Sequence, residues 1–252
     1  MFYLGTSGFN YTEWIGRFYP PGQKRTTMLA YYASIFNSVE INYTFQRLPS
    51  PKTLTQWAAQ VGADFRFSYK APRQITHFSR LKNCAEPLAR FYEALDSGTH
   101  AGAILFQLPP NLRKDAGLLE AFVALLDRQR RHAFEFRDAS WFDDEIFTVL
   151  ARANVALCIA DSPNLSTPAT VTADFGYLRL RNENYQPADI ARWANVAADL
   201  APQWNDCYVY FKHEDTATGP QFAEDFRARL TTLGAWTQQD APAPARSAAF
   251  SS

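Results

Sequence analysis

Glu135 and Arg137 lie two residues apart in the stretch HAFEFRDASWF at 132–142. A carboxylate can move a proton and a guanidinium can hold an anion, so the pair is a minimal kit for acid/base chemistry. Read as a β-strand with a period of two, the stretch puts Phe134 and Phe136 on one face and Glu135 and Arg137 on the other. Two opposite charges on an otherwise apolar strand are costly unless that face lines an enclosed polar space. The strand then enters a polar-aromatic loop, Asp138, Ser140 and Trp141, before a helix near Asp143. Sites in α/β proteins are built at such carboxyl ends of strands.

The same alternation recurs elsewhere. Glu40 and Asn42 oppose Val39 and Ile41, and Arg66, Ser68 and Lys70 oppose Phe65, Phe67 and Tyr69. Gln107, Asp161, Arg179, Arg181 and Lys212 each stand at the end of an apolar run. One reading makes Glu135 the acid/base, Glu40 or Asp161 its partner, and Lys70, Arg137 and Arg179 an anion clamp. The plainer reading makes these charges a salt-bridge network that fills an interior. On the first reading five cations (Lys70, Arg137, Arg179, Arg181 and Lys212) face three carboxylates (Glu40, Glu135 and Asp161), a surplus that attracts an anionic small molecule.

Positioning these groups requires strands separated by helices. Strand patterns fall at 2–7, 38–42, 65–70, 101–107, 132–137, 155–160, 175–180 and 207–212. Helical periodicity follows most of them, including a capped run after Thr26, a run opened by Pro51, and runs at 87–95, 112–126, 143–153, from Pro187, and at 220–233. After the sixth strand, DSPNLSTPATVTAD at 161–174 is rich in Pro, Ser and Thr and predicts a loop in place of a helix. Eight strands in about 235 residues give the size of a TIM-like (β/α)8 barrel. The expected domain is 1–235, with a frayed low-complexity tail at 236–252. An open doubly wound sheet is disfavoured because Gly5-Thr-Ser-Gly8 opens no helix and matches no nucleotide fingerprint.

Lys plus Arg and Asp plus Glu are equal at 25 each, so no global charge draws the chain to nucleic acid or membrane. Three scattered cysteines and no leader or long apolar run predict a reduced, cytoplasmic protein. The histidines (His77, His100, His132 and His213) share no ligand spacing, so neither metal nor cofactor is expected, although His77 and His213 fall at the right end of their strands. Aromatic residues crowd the loop after the first strand. Most are expected to pack over one end of the barrel, with Tyr11, Tyr43 and Trp141 the candidates for stacking on a sugar or base. With them as substrate-binding candidates stand Asn42, Gln107 and His77.

The blocks GTSGFNYTEWIGRFYP at 5–20, YYASIFNSVEINYTFQRLP at 31–49, FSYKAPRQITH at 67–77, ILFQLPPNL at 104–112 and FEFRDASWF at 134–142 resemble a bacterial family. It is the domain-of-unknown-function family numbered 72, also called YecE-like; TADFGYLRLRNENY at 172–185 resembles it more loosely. The resemblance implies a TIM-like barrel and no established activity. The family usually carries His-Gly where this chain has Arg181-Asn182. The favoured function is hydrolase or lyase chemistry on a phosphorylated sugar- or nucleotide-like substrate. The alternatives are metal-dependent nucleic-acid processing of the apurinic-endonuclease kind, which lacks histidine ligands here, and a non-catalytic metabolite-binding barrel. The oligomeric state is not legible in the sequence.

Overall fold

The computed structural model describes residues 1–162, 165–212 and 215–242. Its strands are β1 (Phe2–Thr6), β2 (Ser38–Ile41), β3 (Arg66–Lys70), β4 (Ala101–Gln107), β5 (His132–Glu135), β6 (Ala156–Ser162), β7 (Leu165–Ser166), β8 (Phe175–Leu180) and β9 (Asp206–Phe211). All pair in parallel except β7, a two-residue strand antiparallel to the end of β6. The ladder runs β1-β9-β8-β6-β5-β4-β3-β2 and curls until its two ends meet at a bridge between Ser7 and Glu40. The result is a nearly closed TIM-like α/β barrel.

The helices α1 (Met28–Ala33), α2 (Pro51–Ala58), α3 (Ala85–Asp96), α4 (Ala116–Val123), α5 (Asp144–Arg152), α6 (Pro187–Leu200) and α7 (Thr218–Thr232) connect the strands. Local chemistry sets their starts. The Ser50 hydroxyl accepts from the Thr53 amide with Pro51 as the first helical residue, and Asp143 caps α5 through the Glu145 amide. The helix expected over 112–126 is confined to α4, because the Asp115 carboxylate accepts from the Leu118 amide and starts the helix there. No helix among the described residues is long and apolar enough to cross a membrane.

Strand alternation divides the apolar residues into two sets. Phe67, Tyr69, Phe106, Phe134, Phe136, Leu157 and Ile159 pack outward against the helices. A smaller set, including Tyr3, Leu105, Ala133, Cys158, Tyr177, Tyr208 and Tyr210, fills the barrel interior. Tyr210 ties this interior together, meeting the hydroxyls of Ser38 at 2.6 Å and Ser68 at 2.8 Å. Sites in such barrels lie above this filling, at the carboxyl ends of the strands.

The β1–β2 seam is held by side chains as well as backbone. The Tyr32 hydroxyl of α1 accepts from the Thr6 amide at 2.7 Å and donates to the Ser38 carbonyl at 3.1 Å. The Asn37 side chain accepts from the Leu4 amide and donates to the Phe2 carbonyl, both at 2.7 Å. These bonds satisfy backbone groups of a half-laddered strand. A Cβ on Gly5 would lie 1.9 Å from the Ser38 carbonyl oxygen and 2.4 Å from the Tyr32 hydroxyl. Gly5→Ala is therefore expected to destabilise the barrel by about 3 kcal/mol, the upper end for overpacking. A denaturant melt within about 0.5 kcal/mol of the parent would show that the seam opens freely.

The boundary expected at residue 235 moves. Trp236 stacks with Phe2 at a ring separation of 6.5 Å, and the 3%-exposed Asp240 accepts from the Phe2 amide at 2.6 Å. Asp240 also accepts from the amide and hydroxyl of Thr237, so residues 236–240 dock at the amino end of β1 instead of fraying. The rest of the expected tail, 243–252, lies outside the described residues.

Candidate functional site

Three inward side chains form a layer of charge on top of the interior filling. Glu40 from β2 and Glu135 from β5 are 0% exposed, and Arg179 from β8 is 1% exposed. One guanidinium nitrogen of Arg179 donates to Glu40 Oε1 at 2.8 Å, and the other donates to Glu135 Oε2 and, at 3.3 Å, to Gln107 Oε1. Glu40 also accepts from the Ser7 hydroxyl at 2.9 Å and the Tyr177 hydroxyl at 2.7 Å. Glu135 Oε1 forms a 2.5 Å ion pair with Arg137, without the alignment of a hydrogen bond.

The electrostatics follow from this packing. Burial alone would raise both carboxyls. Arg179, with the Tyr177 bond and Lys70 for Glu40, and Arg137 and Arg181 for Glu135, outweighs it and holds both below the usual glutamate range. Burial would likewise lower Arg179, but Glu135 and Glu40 drive it well above its ordinary value. Groups locked ionised in this way do not exchange protons near neutral pH. The arrangement is the interior salt-bridge network that the sequence allowed as the plainer reading, and the clamp role expected for Arg179 is corrected on that ground.

Above the triad lies a cavity of about 580 Å³ lined by Lys70, Gln107, Pro110, Arg137, Ser162, Leu165, Arg181, Glu183 and Lys212. Lys212 is paired with Glu183. Arg137 Nε is buried with no hydrogen-bond partner among the described residues. The Arg181 side chain makes no hydrogen bond or ion pair to a described residue, and burial together with the Arg179 charge lowers it to about 10. Lys70 Nζ lies 4.2 Å from the Phe45 ring centre, with no carboxylate of a described residue within ion-pair distance. Burial first, then Arg179, lowers Lys70 to about 8. Among the described residues, five cations at and above the triad face three carboxylates, Glu40, Glu135 and Glu183.

The connection after β3 is strained. Residues 74–78 form a π-helical turn, and Arg80, Leu81 and Asn83 follow at φ 48°, 66° and 53°. Non-glycine residues in this region persist only where the surroundings hold them. His77, in the turn, contacts the Thr76 hydroxyl at 2.9 Å and meets the Phe45 ring edge-on; burial and then Lys70 lower its pKa.

Two expected site residues lie elsewhere. Asp161 shares its strand face with Leu157 and Ile159, whereas Cys158 and Ala160 point inward. Its carboxylate therefore faces α6, accepting from the Tyr185 hydroxyl and the Trp193 indole, both at 2.9 Å. It is no partner for Glu135. Trp141 is 0% exposed, stacked 4.7 Å from Phe136, with its indole donating to the Leu112 carbonyl at 2.7 Å. It buttresses the loop and offers no ring face to a ligand. Most of the other loop aromatics pack as expected, with Trp14 and Tyr19 buried.

Tyr11, Asn42 and Tyr43 instead line a separate slot of about 430 Å³ with Phe9 and Trp57. Tyr11 donates to the Ser7 carbonyl at 2.9 Å, and Tyr43 is exposed. No cluster of three or more His, Cys, Asp or Glu among the described residues could hold a metal ion, and His213 lies outside them. The sequence reading did not assign Ser7 or Tyr177, which complete the shell of Glu40. Tyr177 shares strand parity with Arg179, the signal that could have found it.

A family model described as "Protein of unknown function DUF72" matches residues 3–247. The UPF0759 protein YecE of Escherichia coli K12 is 28% identical over 144 residues, 56% of this chain and 50% of that protein. The chain thus matches about half the length of its curated relatives, the O157:H7 protein included. A DUF72 family crystal structure from Thermotoga maritima superposes with a TM-score of 0.79 at 24% identity, covering 92% of this chain and 99% of that one. One from Enterococcus faecalis gives 0.77 at 18% identity, covering 92% and 96%. At these identities the structures support the shared barrel alone.

Proposed function

We propose, for a chain that belongs to the DUF72 protein family, that the barrel mouth binds an anionic small molecule and acts on it as a hydrolase or lyase. The observation that carries this reading is that the Arg181 guanidinium and Arg137 Nε meet no acceptor among the described residues, in the 580 Å³ cavity beside Lys70. Buried cationic donors are costly until they meet a complementary acceptor, and guanidinium geometry suits phosphate and carboxylate.

The clamp is therefore Arg137, Arg181 and Lys70, while Arg179 holds Glu40 and Glu135 beneath it. The two carboxylates tune the mouth's field, and Lys70 is the group poised to exchange a proton near neutral pH. A phosphorylated sugar- or nucleotide-like ligand suits the site. The slot of Tyr11 and Tyr43 stands apart from this cavity and shares none of its lining residues, so it is left out of the ligand's seat. In this reading residues 167–174, after the short strand β7, stand as a loop where a sixth helix would be. Ser162 and Leu165 then form one wall of the cavity.

Titration calorimetry with inorganic phosphate at low salt tests the reading. The parent is expected to bind, and Arg181→Met to bind at least tenfold more weakly, as one charged hydrogen bond is worth about 1.5–3 kcal/mol. Absence of binding to the parent, or equal binding by both proteins, would refute the anion site. Binding without turnover across phosphorylated metabolites would favour the non-catalytic barrel.

A further inference from the structure

Among the described residues, one amine lining the cavity, Lys70, has no carboxylate within ion-pair distance. We propose that Lys70 is an amine nucleophile that forms an imine with the carbonyl carbon of the anionic substrate, which would then be a phosphorylated ketose or aldose, or a 2-keto acid. This rests on the anion-binding reading of the mouth and adds a bond-forming step to it.

The geometry supports the assignment. Lys70 ends β3 with its side chain in the cavity lining, directly before the strained segment of residues 74–83. Its ammonium group rests over Phe45, a surface that offers no proton acceptor. The charged or titratable groups around it are Glu40 from β2, His77 on its own connection, Glu135 and Arg137 from or just after β5, Arg179 and Arg181 from or just after β8, and Lys212 after β9. Arg179 and Arg137 together balance the charges of Glu40 and Glu135, and Glu183 balances Lys212, which leaves Arg181 as the excess cation beside Lys70 among the described residues. Burial first, then the Arg179 charge, brings its amine to about 8, where half is free base. A desolvated lysine beside other cations is an activated nucleophile. The same cations hold the substrate's anionic group, leaving its carbonyl within reach of the amine.

The step balances without an oxidant or reductant. The Nζ lone pair forms the C–N bond while the carbonyl π pair moves to oxygen. That oxygen leaves as water, carrying the two protons that the ammonium nitrogen loses, and a protonated C=N bond remains. The iminium can then draw electrons from a bond at the adjacent carbon, which is lyase chemistry.

The test is reductive trapping with sodium cyanoborohydride, using pyruvate and dihydroxyacetone phosphate as probes and acetone and dihydroxyacetone as uncharged comparators. Peptide mass mapping reads the site. The expected result is an adduct at Lys70 at least tenfold above Lys24, Lys52, Lys82 or Lys114, half-maximal near pH 8, suppressed by inorganic phosphate and absent in both Lys70→Ala and Lys70→Arg. The uncharged probes should label Lys70 at least tenfold less. Uniform labelling of all lysines, or labelling of Lys70 only above pH 10, overturns the proposal. Phosphate binding in calorimetry with no Lys70 adduct defeats the nucleophile while the anion site stands. Equal labelling by charged and uncharged probes, with no phosphate binding, defeats the anion site itself.

Discussion

Arg179→Met is expected to lose at least 3–5 kcal/mol of stability at neutral pH, the cost of stranding a buried charge. For a chain of 252 residues this is roughly a 6–20 °C fall in melting temperature. The variant leaves two carboxylates, Glu40 and Glu135, fully buried without their shared counter-ion. In the parent both carboxyls are depressed on folding. The stability they contribute is present above their unfolded values and is lost as pH falls through the folded ones. In the variant burial is opposed only by Tyr177 and Lys70 at Glu40 and by Arg137 and Arg181 at Glu135, so both carboxyls rise relative to the parent and protonation on acidification relieves part of the penalty. The gap between parent and variant should therefore narrow steadily from pH 7 to pH 5. A gap that is constant with pH would mean that lost packing, not stranded charge, causes the effect.

Glu135→Gln separates structure from catalysis at the residue around which the site reading was built. Glu135 lies between Arg179 and Arg137, and removing its charge leaves three guanidiniums, with Arg181, facing Glu40 alone within the triad layer. The expected loss is again about 3–5 kcal/mol. The same change makes the mouth more cationic, so phosphate should bind the variant more tightly and recover part of its melting temperature through ligand linkage. A general acid/base would behave differently: the amide preserves shape, the melt would match the parent, and only turnover would vanish. A variant as stable as the parent, with no gain from phosphate, would return Glu135 to the list of catalytic candidates.

Much of this site was legible because strand alternation is local. A period of two follows from the extended backbone itself, so Glu40, Ser68, Lys70, Glu135 and Arg179 could be placed inside the barrel before any strand was paired. The barrel was legible for the same reason, from strand runs separated by amphipathic helices. Asp161 shows where local reading stops. It follows an apolar run as the other charges do, but Cys158 and Ala160 take the inward positions, and its carboxylate finds Tyr185 and Trp193 on the helix side. Its place after an apolar run could not reveal that.

Trp141 shows a second limit. An aromatic beside polar residues reads as exposed, yet its burial depends on Phe136 beneath it and on the Leu112 carbonyl from another connection. The sequence by itself determined which face each charge takes along most strands and that these faces enclose a polar interior. Only the tertiary structure decided the height at which each charge sits. Strand stagger sets those levels, seen in the pairing of Gln107 with Glu135 and of Arg179 with Tyr210. It brings Arg179 level with two carboxylates and leaves Lys70 and Arg181 above them, because stagger belongs to the closed barrel and to no single strand.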